Sequence, residues 1–134
     1  MIMFNIESPR SDDASVEQDI VAKGLTAPRI TLTDIEANIA GAYYFTANDG
    51  LAGAHFKRRG HLQGMGDAHD ELRLLTFCVL VLRNGFTVTG ESACASPENF
   101  DAEIGRKVAR ANAVNKIWPL MGYELKNRLV GGAQ

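Results

Sequence analysis

The most regular alternation of hydrophobic and polar positions lies between Leu74 and Cys94, on either side of a tight-turn signal. LLTFCVLVL reads as an apolar strand. FTVTGESAC reads as a second strand with polar residues at alternate positions. Asn84-Gly85 between them favours a two-residue hairpin, because a type I′ turn needs positive φ at both central residues. Such a turn pairs Arg83 with Phe86. Counting back then places Val81 opposite Val88, Val79 opposite Gly90 and Phe77 opposite Ser92. Alternate residues point to opposite faces, so Leu75, Phe77, Val79, Val81, Phe86 and Val88 form the expected core surface. The other face carries Leu74, Leu80 and Leu82 among Thr76, Thr87, Thr89 and Glu91. The first strand is apolar on both sides, which predicts that this second face is covered as well.

A helical period follows. Ser96 suits an N-cap and Pro97 the first helical position, so a long helix is expected over 97–118. Glu98 and Asp101 favour its positive end. Phe100, Ile104, Val108, Ala111, Val114 and Trp118 form the expected core stripe. Ala102, Gly105, Ala109 and Ala113 make a second side of small residues that permits close approach. Arg106, Lys107 and Arg110 make a basic side. Trp118 precedes Pro119, so the helix should end or kink there, and Met121, Leu125 and Leu129 carry a short final helix.

Upstream, Thr31 and Asp34 have the spacing of a capping box, with Ile30 and Ile35 placed as a hydrophobic staple. A helix is expected from there towards Gly41, followed by an extended segment at Tyr43–Phe45. Residues 47–71 are rich in Gly, Asn, Asp and His and read as an inserted loop. Residues 1–28 hold five acids against two bases and read as a flexible acidic tail, leaving one domain over 29–130. The fold class is α+β: a small antiparallel sheet built on one hairpin, packed against a long C-terminal helix, with an N-terminal helix and a short final one.

Composition narrows the partners. A chain of 134 residues, 46% hydrophobic, suffices for one core. A net charge of −2 gives no bulk attraction to nucleic acid or membranes. No apolar run reaches the length of a membrane span. The start of the chain lacks the basic and apolar blocks of a signal peptide, which points to a reducing cytoplasm. Cys78 and Cys94 fall on opposite faces in the expected register and should not pair. His55, His61 and His69 are six and eight residues apart, with no pair on one helix turn and no cysteine beside them. That spacing predicts no metal site. Glu91, Ser92, Cys94 and the loop histidines are joined by no catalytic spacing, so an enzyme is not favoured, and no cofactor is implied.

RNGFTVTGESACASPENFDAEIGRKVARANAVNKIWPLMGYELKNRL closely resembles a family of small tailed-phage proteins, the gene-49-like or gene-66-like proteins. TLTDIEANIAGAYYFTA is similar to the family's helix-plus-aromatic opening. The resemblance spans about residues 30–130 and is most specific over 83–118. It implies a phage or prophage accessory protein acting in the cytoplasm of a bacterial host, with no reaction attached. The reading that follows is a non-enzymatic binder, capturing a nucleotide-like anionic small molecule to blunt host defence. Thr87, Thr89 and Ser92 would supply hydroxyls, the Ser96 helix start free N–H groups, and Arg106, Arg110 and Lys116 positive charge. The bland alternative is a decorated strand and a solvated basic helix face. A host-protein or nucleic-acid module is the other class. Glu98, Asp101 and Glu103 at the helix start repel phosphate and weigh against nucleic acid. Leu74, Leu80 and Leu82 form an apolar patch whose simplest cover is a second copy, so a homodimer is expected, with a ligand pocket between subunits.

Overall fold

The hairpin forms, but its register is one residue away from the expected one. In the computed structural model, which describes residues 3–5, 13–66 and 69–131, the Leu82 N–H donates to the Phe86 carbonyl at 2.8 Å. The Gly85 N–H donates to the Leu82 carbonyl at 2.9 Å. The loop therefore has three residues, Arg83, Asn84 and Gly85. Only Gly85 has positive φ, at 89°, and Asn84 does not. The Asn84 side chain instead accepts the Phe86 N–H at 2.9 Å. This is the three-residue alternative, in which a glycine closes the loop in a left-handed conformation. β3 (Leu75–Leu82) and β4 (Thr87–Cys94) consequently pair Val81 with Thr87, Leu80 with Val88, Val79 with Thr89 and Cys78 with Gly90.

A one-residue slip turns β4 over relative to β3. Val88 joins Leu80 and Leu82, not Phe77 and Val79. Leu80 is fully buried, and Leu82, Cys78 and Val88 lie beside it in the core. Phe77, Val79 and Val81, the expected core surface, are only half-buried. The two sheet faces are thus exchanged relative to the sequence reading.

β2 (Ile39–Thr46) pairs with β3 on one side, and β1 (Met3–Asn5) with β4 on the other. The antiparallel order is β1-β4-β3-β2. β1 lies inside the segment read as an acidic tail, as does α1 (Asp13–Ala22). Arg29 ties α1 to the domain through two hydrogen bonds of 2.7 Å to Glu17. Residues 6–12 of that segment lie outside the described residues.

α2 (Leu32–Ala37) starts at the expected capping box: the Asp34 N–H donates to Thr31 at 3.1 Å and the Thr31 N–H to Asp34 at 2.9 Å. It stops at Asn38, before Gly41. Ile35 from its inner side is fully buried. The segment read as an inserted loop opens with a helix, α3 (Ala47–Arg59). Thr46 and Asp49 repeat the capping box there, and Gly60, at φ 78°, ends it. A second T-x-x-D, immediately before glycine-rich sequence, was the available signal.

Pro97–Asn99 is a 3₁₀ turn, not the start of the long helix. The helix proper, α4 (Ala102–Asn115), is capped by Asp101, whose side chain accepts the Ile104 N–H at 3.0 Å. α5 (Ile117–Gly131) follows after a break at Lys116, with Pro119 in its first turn, where no N–H is required. α4 lies on the Leu80 face. It does so through its small residues, Gly105, Ala109 and Ala113, together with Asn112, all buried. The expected stripe is displaced: Ile104 is 48% exposed and Phe100 and Val108 are half-buried, although Val114 is in the core. The reason is steric. A Cβ at Gly90 would run into the Ala109 carbonyl and the Ala113 backbone. Helix and sheet backbones touch there, and only small side chains fit between them. The close approach seals Leu80, Ile35 and Ile117, each fully buried, worth about 1.5–3 kcal/mol apiece. Trp118 packs against this core from its rim.

Candidate functional site

The corrected register aligns three hydroxyl residues across the sheet. Thr46 on β2 pairs with Thr76 on β3, and Thr76 pairs with Ser92 on β4. All three share the α4 face. Thr46 spends its hydroxyl on the α3 capping box. The hydroxyls of Thr76 (3% exposed) and Ser92 (0%) are buried without a hydrogen-bond partner, as is the Oδ1 of Asn112, whose Nδ2 donates to the Glu91 carbonyl at 2.7 Å. Unpaired buried polar groups cost free energy and ask for an explanation.

Thr76 faces a cleft of about 190 Å³ between the β2 edge and the start of α4. Tyr44 and Phe100 form aromatic walls, and Arg106, one turn into α4, stands at the mouth. Arg106 has no ion-pair partner among the described residues. Asp49 also borders the cleft, but its carboxylate accepts the Thr46 N–H at 3.0 Å, at the positive end of α3. The cleft is therefore lined by one guanidinium, Arg106, and by one carboxylate, Asp49, that is held in the α3 capping box.

Behind Tyr44 lies a closed polar relay. The Tyr44 hydroxyl is within reach of the Cys78 thiol and the Arg110 guanidinium. Burial pushes the Tyr44 phenol up, and the neighbouring Cys78 adds to this. Burial also pushes the Cys78 thiol up, against the opposing pull of Tyr44 and Arg110, so it stays protonated and inert. Arg110 donates to both Glu36 oxygens, at 3.2 and 3.0 Å, and this pairing raises its own pKa. The two cysteines lie on the same face, not opposite ones. Both are free and buried. Cys94 sits four residues along β4 from Gly90, the partner of Cys78, about 13 Å away. Its thiol donates to the Ser96 carbonyl at 3.2 Å.

Of the six residues expected to hold a ligand, Arg106 alone lines this cleft. Thr87 and Thr89 are exposed on the opposite face of the sheet, Ser92 lies under α4, Arg110 is engaged by Glu36, and Lys116 caps the far end of α4. The interface residues move as well. Leu80 and Leu82 are buried in the core of their own chain, with Ile35, Ala109 and Ile117, and Leu74 ends a 3₁₀ turn before β3. Sequence reasoning missed Thr76, Tyr44 and Phe100, because their convergence depends on the β2–β3 pairing and on where the start of α4 docks, which no short stretch of sequence specifies. The His55 and His61 rings meet edge-on at 6.3 Å, and the His55 Nε2 lies 3.0 Å from the Gln63 carbonyl. The described residues contain no cluster able to hold a metal ion.

No curated protein and no solved structure compared with the chain shows significant similarity. A family model does match, over residues 30–129, which span α2 to α5 and every part of the cleft. The chain belongs to the Phage protein (N4 Gp49/phage Sf6 gene 66) family.

Proposed function

We propose that this phage accessory protein acts in the host cytoplasm as a non-enzymatic binder of a nucleotide-like anionic small molecule, held at the cleft between Tyr44, Thr76, Phe100 and Arg106. The observation that carries the reading is the Thr76 hydroxyl. It is buried and lacks a partner, and Thr76 lines a cleft that also holds Arg106, which has no ion-pair partner among the described residues. A ligand oxygen at that point would satisfy the hydroxyl, and the guanidinium would neutralise the ligand's charge. The aromatic walls suit the flat side of a ring. The cleft is smaller than the roughly 300 Å³ at which drug-sized sites begin, so it suits one end of a ligand, a ring or a phosphoryl group, with the rest outside. Two features favour binding over chemistry. The one carboxylate lining the cleft, Asp49, and the Thr46 hydroxyl are both engaged in the α3 capping box, and the nearest thiol is buried and protonated. Sequestering a nucleotide-derived host signal is the role such binding would serve in a phage protein.

Isothermal titration with AMP, and separately with inorganic phosphate, tests this. AMP should bind more tightly than phosphate alone. Arg106→Ala should weaken AMP binding about tenfold or more, the loss of one charge-assisted contact. Thr76→Val, nearly isosteric, should weaken it without lowering the melting temperature. Equal affinity in wild type and both variants, or no binding of either probe, overturns the assignment.

A further inference from the structure

The ligand cleft keeps its charge and its aromatic surface apart. Tyr44, Phe45 and Phe100 each bring a ring to its walls. The Tyr44 hydroxyl is engaged with Cys78 and Arg110, and the Thr46 hydroxyl accepts the Asp49 N–H. Thr76, 3% exposed, marks the inner end, and its hydroxyl is neutral. The charged lining residues, Arg106 and Asp49, are both exposed and mark the outer end. We propose that the cleft takes a nucleobase ring first and leaves the phosphoryl group outside at Arg106, so that it selects nucleosides and nucleoside monophosphates over polyphosphates. This rests on the cleft being the nucleotide site proposed above.

Desolvation sets the orientation. A phosphoryl group at the inner end would exchange its water shell for one neutral hydroxyl and aromatic rings, and a buried charge so poorly paired is strongly unfavourable. A heterocyclic ring has the opposite preference. Its faces gain from the aromatic walls, and a nitrogen or oxygen on its edge can pair with Thr76. The cleft, about 190 Å³, has room for the ring end alone. The start of α4 is closed to phosphate as well. Asp101 already accepts the Ile104 N–H at 3.0 Å there, so the helix presents a carboxylate at that point.

The charge balance at the outer end sets the limit on phosphate. Asp101 and Glu103 flank the lining residue Ala102, and Asp49 stands across from them. Arg106 and Lys107 oppose these three carboxylates, and Lys107 is already drawn to Glu103 at 3.8 Å. A first phosphoryl group meets Arg106. Further ones meet carboxylates and are repelled.

Isothermal titration of the full chain with adenosine, AMP and ATP, without added divalent metal, tests this. Adenosine should bind about tenfold more weakly than AMP, the factor assigned to Arg106. In Arg106→Ala, at an exposed position, AMP affinity should fall to that of adenosine, with adenosine affinity unchanged. ATP should bind more weakly than AMP. Phe100→Leu, which keeps an apolar side chain but removes the ring, should weaken adenosine and AMP by the same factor. AMP binding without adenosine binding, or ATP binding more tightly than AMP, overturns the ring-first selection and leaves the nucleotide site standing. So does a loss in Arg106→Ala that adenosine shares equally. Binding of none of the three overturns the site itself, and this inference with it.

Discussion

The two faces of one sheet differ in what they require of side chains. The α4 face holds Thr76, Cys78, Leu80, Leu82, Val88, Gly90, Ser92 and Cys94, and the helix sits so close that Gly90 has no room for a methyl group. The opposite face holds larger and more β-branched residues, Phe45, Phe77, Val79 and Val81, yet they are the less buried set. Hydrophobicity alone therefore ranks the faces in the wrong order. Shape decides: a helix backbone docks where the sheet is thin, and its closeness makes that face the core.

Gly90→Val should have the largest effect on this arrangement. The side chain would meet the α4 backbone, and the loss should exceed about 4 kcal/mol, seen as failure to fold or a collapsed denaturant midpoint. A Gly90→Val protein of normal stability would mean that α4 does not touch β4 there. Next, Leu80→Ala should cost about 2–5 kcal/mol by chemical denaturation, while Val79→Ala, its neighbour on the other face, should cost about 1 kcal/mol or less in dilute monomer. Equal costs in dilute solution would erase the distinction between the faces.

The hairpin loop sets which residues belong to which face, so it can be tested separately. Gly85→Ala should cost about 1–2 kcal/mol, because φ of 89° disfavours a side chain, whereas Asn84→Ala should cost less. A two-residue type I′ turn would instead penalise both. The smallest effect concerns the N-terminal attachments. The Arg29 hydrogen bonds hold the Glu17 carboxyl below its usual 4.5, and the Thr31 N–H does the same for Asp34 below 3.8. Lowered folded values mean stabilisation that is present above those figures and lost as pH falls through the lower folded ones. Melting temperature should decline more steeply below about pH 4 in wild type than in Asp34→Asn, which lacks the titrating group.

Much of the fold was legible locally. The hairpin's existence, the Thr31 capping box, the extended aromatic segment and the break near Pro119 are short-range matters of turn chemistry, caps and missing donors. α3 was legible in the same way through Thr46 and Asp49, but its glycine-rich composition hid it. The cleft was not legible. Arg106 stood out by charge, yet Thr76 looked like an ordinary strand threonine until the register aligned it with Thr46 and Ser92.

By itself the sequence determined the α+β class, the position of the turn, the Thr31 capping box and the family, because each rests on interactions within a few residues or on one contiguous motif. The tertiary structure alone decided the loop length between β3 and β4, and with it the orientation of every side chain on β4. In isolation Asn84-Gly85 favours the two-residue loop, although the same residues can close a three-residue one. Only the three-residue form puts Gly90 beneath α4, where helix and sheet can close over Leu80. The burial gained there, summed over contacts far apart in the chain, outweighs the local turn preference.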